Sequence, residues 1–310
     1  MAKHIPQSLL ERAAELYDFG AALRSPAPAP APVAEPAPEP APAPAPVEAA
    51  PPRLLRSVDT PAPRPRTAPG VAEINRDVLA ANGLIVPEAQ VTGLAEEFRL
   101  IKHQLLADIE ASRKPEERRR LVLLCSAKPK AGKTFCALNL ALSLAGEKEG
   151  EVLLVEGDFL KPDALALLGI AGGGPGFVDA LTDRSADPES FVIRTDVPGL
   201  SVLPAGARTN NVPELLASDR SREVLAKLVA GDRQRIVLFD SPPVLMASHA
   251  TVLAGLVGRA LVVVRADQTT EADLREAIGL LQGCEISLIL NGAGLTGRKF
   301  GAYDGYGHED

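Results

Sequence analysis

Residues 126–135, SAKPKAGKTF, place Gly132, Lys133 and Thr134 in one run. The run follows the apolar stretch RLVLLCSA (120–127) and leads into the helical pattern KTFCALNLALSLAG. Strand, glycine loop and helix in that order make a phosphate-binding loop. Loop N–H groups and the helix N-terminus hold phosphate oxygens. Lys133 is suited to the β- and γ-phosphates, and the Thr134 hydroxyl to Mg²⁺. The usual pattern is G-x-x-x-x-G-K-[ST]; here Ala127 stands in the opening place. The closest work falls to the Gly-Lys-Thr core, so nucleotide binding is still expected, with Ala131, Gly132, Lys133, Thr134, Phe135 and, later in the chain, Asn291 as its contacts.

Two further apolar runs end in acids. VLLVEGD closes on Glu156 and Asp158, and IVLFDSPP contains Asp240. Carboxylates at neighbouring parallel strand tips converge on a metal and its waters, and Mg²⁺ takes hard oxygen ligands. Thr134 and Asp240 are the expected metal-side residues; Lys133, Glu156, Asp158 and Asp240 are the candidate catalytic ones. Lys128 precedes Lys133 by five positions, giving K-x-x-x-x-K-T.

These residues need a scaffold that brings strand ends together. GLSVLPAG (199–206), RALVVVRAD (259–267) and EISLILNGA (285–293) are further strand candidates, with helical patterns between most of them. The alternation predicts βαβ units in a doubly wound, mainly parallel sheet, with function beyond the carboxyl ends of its strands. A helix is predicted from about Thr92 to Ser112, with Leu94, Phe98, Ile101, Leu105 and Ile109 as its apolar stripe and Glu96, Arg99 and Lys102 on a polar face.

Around this core the composition changes. Residues 1–24 open with the capping box Ser8-x-x-Glu11 and one apolar helical face, a candidate docking element. Residues 25–70 are Pro/Ala-rich and are expected to be disordered, extended and semi-rigid, with the first part spanning ~80 Å in polyproline II form. The folded domain is expected over residues 71–295, with a flexible tail at 296–310. No run of about 20 apolar residues is present, and residues 1–20 do not read as a secretory signal. Cys125, Cys136 and Cys284 lack metal-ligand spacing and suit reduced, buried thiols in a cytoplasmic protein. A net charge of −7 disfavours non-specific nucleic-acid binding. The one basic cluster, RKPEERRR (113–120), is broken by Pro115 and two glutamates and reads as a solvated helix end.

Taken together, the chain resembles the bacterial tyrosine kinases of capsule and exopolysaccharide systems, over roughly residues 90–310. It is most similar to the separate cytoplasmic autokinases of exosortase-linked exopolysaccharide loci. CSAKPKAGKTFCALNLALSLA looks like that family's Walker A, VLLVEGDFLKP its Walker A′ and IVLFDSPPV its Walker B. LPAGARTNNVPELLAS matches its L-P-x-G…P-x-E-L-L segment, and EEFRLIK (96–102) its ring-forming E-x-x-R-x-x-R motif. The resemblance implies a P-loop ATPase fold of the MinD- and ParA-like deviant Walker type, in which Lys128 would contact phosphate across a subunit interface. It implies ATP and Mg²⁺ as cofactors, and Glu96, Arg99 and Lys102 at the interface of a homo-oligomeric ring. It implies autophosphorylation in trans on a C-terminal tail, here with Tyr303 and Tyr306 as acceptors. It also implies a membrane-embedded polysaccharide co-polymerase as adaptor, holding the protein at the inner face of the plasma membrane. The chain departs from the family pattern at three places. Glu156 replaces the first Walker A′ aspartate, Leu160 an arginine, and His249 the aspartate of a D-A pair. These departures motivate an alternative, a nucleotide-gated scaffold of the export machinery with little or no kinase activity.

Overall fold

The computed structural model describes residues 70–147, 150–231 and 234–293. The predicted docking helix, the linker up to residue 69 and the tyrosine-bearing tail lie outside the described residues.

Six apolar runs become parallel strands: β1 (Leu121–Ser126), β2 (Val152–Glu156), β4 (Leu200–Leu203), β5 (Ile236–Asp240), β6 (Arg259–Arg265) and β7 (Glu285–Asn291). The two-residue β3 (Ile193–Arg194) adds an antiparallel edge, too short to leave a period in the sequence. The sheet order is β3-β4-β2-β5-β1-β6-β7. From β1 the chain first builds toward one edge and then toward the other, so a crevice opens above β1, where such sheets bind ligands.

Ten helices accompany the strands among the described residues. They are α1 (Arg76–Ala81), α2 (Gly93–Ala111), α3 (Glu116–Arg119), α4 (Lys133–Ala145), α5 (Ala164–Leu167), α6 (Phe177–Thr182), α7 (Val212–Ala217), α8 (Asp219–Ala230), α9 (Ser248–Leu256) and α10 (Glu271–Leu280). Alternate strand residues feed two cores. Val122, Leu124, Leu154, Leu238 and Val263 face α2 and α4. Leu123, Val155, Phe239 and Val262 face α6 to α10. Burial on both faces is why β1 reads as an unbroken apolar run.

Helix α2 starts where its Thr92 cap requires: the Thr92 hydroxyl accepts the Ala95 N–H. Phe98, Leu105 and Ile109 bury the expected stripe. The expected common polar face is divided, however. Arg99 is exposed and pairs with Glu96 at 2.5 Å, whereas Lys102 is buried and its ammonium pairs with Glu147 after α4. Lys102 lies one helical turn from Phe98, close enough to the stripe for its stem to be drawn under. The basic cluster is likewise engaged: the Arg118 guanidinium donates to the carbonyls of Gly255 and Val257 and so ties α3 to the end of α9.

Candidate functional site

The loop between β1 and α4 is braced from within. The Ser126 hydroxyl donates to the Lys128 carbonyl at 2.7 Å. Lys130 has φ +63° and Gly132 φ +89°, both in the left-handed region. Gly132 is the residue before α4, and a Cβ there would collide with the Asn291 side-chain amide. That amide donates to the Ala131 carbonyl at 2.8 Å, so the end of β7 clamps the loop. The opening position does not demand glycine: Ala127 does not hold a left-handed φ, and its carbonyl accepts the Leu245 N–H from the segment after β5. The first-turn N–H groups of α4 have no acceptor inside the helix and face the crevice end of the sheet. Phe135 uses its ring elsewhere: it packs edge-on to Phe98 of α2, with centroids 6.3 Å apart.

Register brings the acids to this loop. Asp240 lies beside Leu124 of β1 on one side and Glu156 of β2 on the other. Lys133 Nζ lies 2.9 Å from Asp158 Oδ2. Asp240 is buried, and its Oδ1 has no hydrogen-bond partner. Burial pushes its carboxyl up to about 7; Lys133 and Thr134 act the other way, and Asp158 and Glu156 add to the rise. A buried carboxylate oxygen without a donor, beside a threonine hydroxyl and a lysine, is a site short of positive charge. Its donor set fits a hydrated Mg²⁺ carried by a nucleotide phosphate.

Glu156 is committed differently. Its Oε1 accepts the N–H groups of Ala164 (2.8 Å) and Leu165 (3.4 Å), and Oε2 that of Ala205 (3.4 Å). It thereby holds the start of α5 and the segment after β4. Burial raises its pKa, opposed by those three amides. Of the two acids on this strand end, Asp158 is the one at the phosphate loop.

His249, in the first turn of α9, lies edge-on to Phe159 with centroids 5.8 Å apart, and Phe159 in turn stacks on Phe177. Burial lowers the His249 pKa, with Asp158 and Glu214 acting against it. Leu160 and Met246, each 66 % exposed, leave apolar side chains on the loops after β2 and β5. Lys128 pairs with Asp273 of α10 at 2.7 Å. The capping box Thr270-x-x-Asp273 is visible in the sequence, but nothing local there points to Lys128 as its partner. Cys125 and Cys136 are buried beside the loop as expected, and burial raises both thiol pKa values, that of Cys136 to about 12.

A parallel sheet with a phosphate loop after β1 and acids at the ends of β2 and β5 defines a P-loop ATPase fold. No protein-family model matches the chain. Among curated proteins, EpsB of Ralstonia nicotianae (strain ATCC BAA-1114 / GMI1000) is 36 % identical over 170 residues, which make up 54 % of this chain and 22 % of EpsB. The tyrosine-protein kinase YwqD of Bacillus subtilis (strain 168) is 27 % identical over 215 residues, 69 % of this chain and 85 % of that protein. Among solved structures, the BceF tyrosine kinase domain is 31 % identical with a TM-score of 0.52, covering 63 % of this chain and 76 % of that domain. The chain belongs to the bacterial tyrosine kinase family. It spans about a fifth of the length of the first curated relatives that it matches.

Proposed function

We propose that the protein is an ATP-dependent protein-tyrosine kinase that phosphorylates its own C-terminal tail, at Tyr303 and Tyr306, in trans. The observation that carries this reading is the juxtaposition of Lys133, Asp158 and Asp240 at one strand-end crevice. Lys133 and the loop amides neutralise phosphate charge. Thr134 and Asp240 would hold Mg²⁺, which when bound would offset phosphate charge. Asp158 would accept or orient the phenol proton, with Leu160 and Met246 as apolar surface for the ring. The incoming phenol oxygen attacks the γ-phosphorus, the bond to the β-phosphate oxygen breaks, and ADP leaves. Phosphate on the acceptor tyrosine is then repelled by the neighbouring Asp158 and Asp240 carboxylates, which weakens docking of the tail. We further infer that assembly with copies of itself through the Glu96 and Arg99 region, and with a membrane-embedded co-polymerase, links this cycle to exopolysaccharide synthesis or export. Among the described residues no helix is long and apolar enough to cross a membrane.

The test is phosphopeptide mass spectrometry after incubation with ATP, Mg²⁺ and the adaptor's cytoplasmic segment. Phosphate on Tyr303 or Tyr306 supports the reading. ATP binding without phosphotyrosine supports the second one, a nucleotide-gated scaffold. That alternative is favoured by Glu156, whose carboxylate is occupied by three backbone amides.

A further inference from the structure

The phosphate loop carries three lysines, and two of them are neutralised within the chain. Lys128 pairs with Asp273 and Lys133 with Asp158. Lys130 is exposed and makes no ion pair among the described residues. It also holds φ +63°, a conformation in which glycine or asparagine is far better tolerated than a long side chain. The anion-holding turn of the loop accounts for that backbone and leaves the exposed ammonium free to meet a second anion.

The nucleotide does not require it, since Lys133 and the loop amides already face the phosphate position. The last described strand ends close by in the fold. Asn291, at the end of β7, bonds the carbonyl of Ala131, the residue next to Lys130. From Ala293 the chain continues into residues 294–310, and its last eight, YDGYGHED, contain Asp304, Glu309 and Asp310 with no lysine or arginine. An acidic segment bearing two tyrosines thus belongs to a chain whose last strand ends beside an unpaired cation.

We propose that Lys130 is a specificity-determining residue for an acidic, tyrosine-bearing peptide, and that this peptide is segment 303–310 of a second copy of the chain. The ammonium engages a carboxylate flanking the acceptor tyrosine, while Leu160 and Met246 offer apolar surface to the ring. The inference rests on the proposed tail phosphorylation, and its test reads binding rather than transfer.

The receptor is the full chain carrying Asp304→Asn, Glu309→Gln and Asp310→Asn, so that its own tail does not compete. The probe is a fluorescent peptide of residues 301–310 with both tyrosines replaced by phenylalanine, added with Mg²⁺ and a non-hydrolysable ATP analogue. Lys130→Asn, which tolerates the left-handed backbone, should weaken peptide binding about five- to tenfold at low salt, with the gap closing near ~0.5 M salt. Lys130→Gln, which loses the charge but keeps the strained backbone, should match it, which separates loss of charge from relief of strain. Analogue affinity should stay unchanged in both. Equal peptide binding with and without the lysine overturns the proposal. So does a parallel fall in analogue affinity, which would give Lys130 to the nucleotide, and so does absence of peptide binding to the parent receptor. Lys130-dependent binding in a chain that transfers no phosphate would leave this inference standing while removing the kinase reading.

Discussion

Lys133 Nζ and Asp158 Oδ2 stand 2.9 Å apart, with both side chains mostly out of solvent. The cation expected to meet the phosphates is therefore held by a carboxylate until nucleotide arrives. Asp158→Asn keeps the shape and removes the competitor. Titration calorimetry should show ATP-analogue affinity raised several-fold, while tail phosphorylation falls by at least ~100-fold for want of the proton acceptor. Lys133→Ala should instead abolish nucleotide binding. Weaker binding in Asp158→Asn would mean that the pair preorganises the loop rather than competing for it.

Glu156 stands where the resemblance expects the first Walker A′ acid, yet its oxygens accept three backbone N–H groups. Shortening it by one methylene withdraws the carboxylate from the Ala164 and Ala205 amides and leaves buried donors unmet. Glu156→Asp should cost about 1–3 kcal/mol in urea denaturation, and tail phosphorylation should slow with the loss of the α5 anchor. A faster rate at unchanged stability would show that the glutamate is a handicap to the chemistry and dispensable to the fold.

The Lys102–Glu147 pair gives stability a pH dependence of known sign. Hydrogen bonding to Lys102, then its charge, holds the Glu147 carboxyl below its ordinary value. A group depressed on folding contributes stability above its unfolded pKa and loses it as pH falls through the folded one. Glu147→Gln should therefore lower the urea midpoint at pH 7 and converge with the parent in acid, once pH has fallen through the depressed folded pKa. Glu147 is two-fifths exposed, so the effect should be no more than about 1 kcal/mol. Equal losses at both pH values would assign the effect to packing.

The same pair bears on assembly. Arg99 is exposed while Lys102 faces inward. Arg99→Glu should reduce oligomers in light scattering with the adaptor segment present. Lys102→Met should change stability and leave the mass distribution alone. Loss of oligomers in Lys102→Met, in a chain as stable as the parent, would reinstate lysine at the interface.

The strands were legible because a parallel strand buried on both faces leaves an unbroken run such as LVLLCS, with no alternation to misread. The loop was legible because Gly132-Lys133-Thr134 has a fixed spacing and a fixed context. What the sequence could not separate was Glu156 from Asp158: both end the same strand, and only the third dimension shows one turned to backbone amides and the other to Lys133. Lys102 was misread for a related reason. A lysine flanking an apolar stripe is solvated or drawn under according to what the next element offers, and here that is Glu147. The Lys128–Asp273 pair joins distant parts of the chain through the β1–β6 register, which no local pattern encodes.

The kinase and scaffold readings part at the tail. A Lys133→Ala chain keeps Tyr303 and Tyr306 but lacks the cation for phosphate, so it can serve only as substrate. A chain with intact Lys133 and both tyrosines replaced by phenylalanine can serve only as catalyst. Mixed with ATP, Mg²⁺ and the adaptor segment, the pair should place phosphate on the first chain, at a rate that rises with the concentration of the second. Neither chain alone should be labelled. The Lys133→Ala chain must first match the parent in thermal unfolding, since Asp158 is left beside the cavity without its partner. If the mixture stays unlabelled while the parent is labelled at a rate independent of its own concentration, transfer is within one chain. If the parent also stays unlabelled while calorimetry still shows ATP bound, autophosphorylation is excluded under these conditions and the nucleotide-gated scaffold is the function that remains.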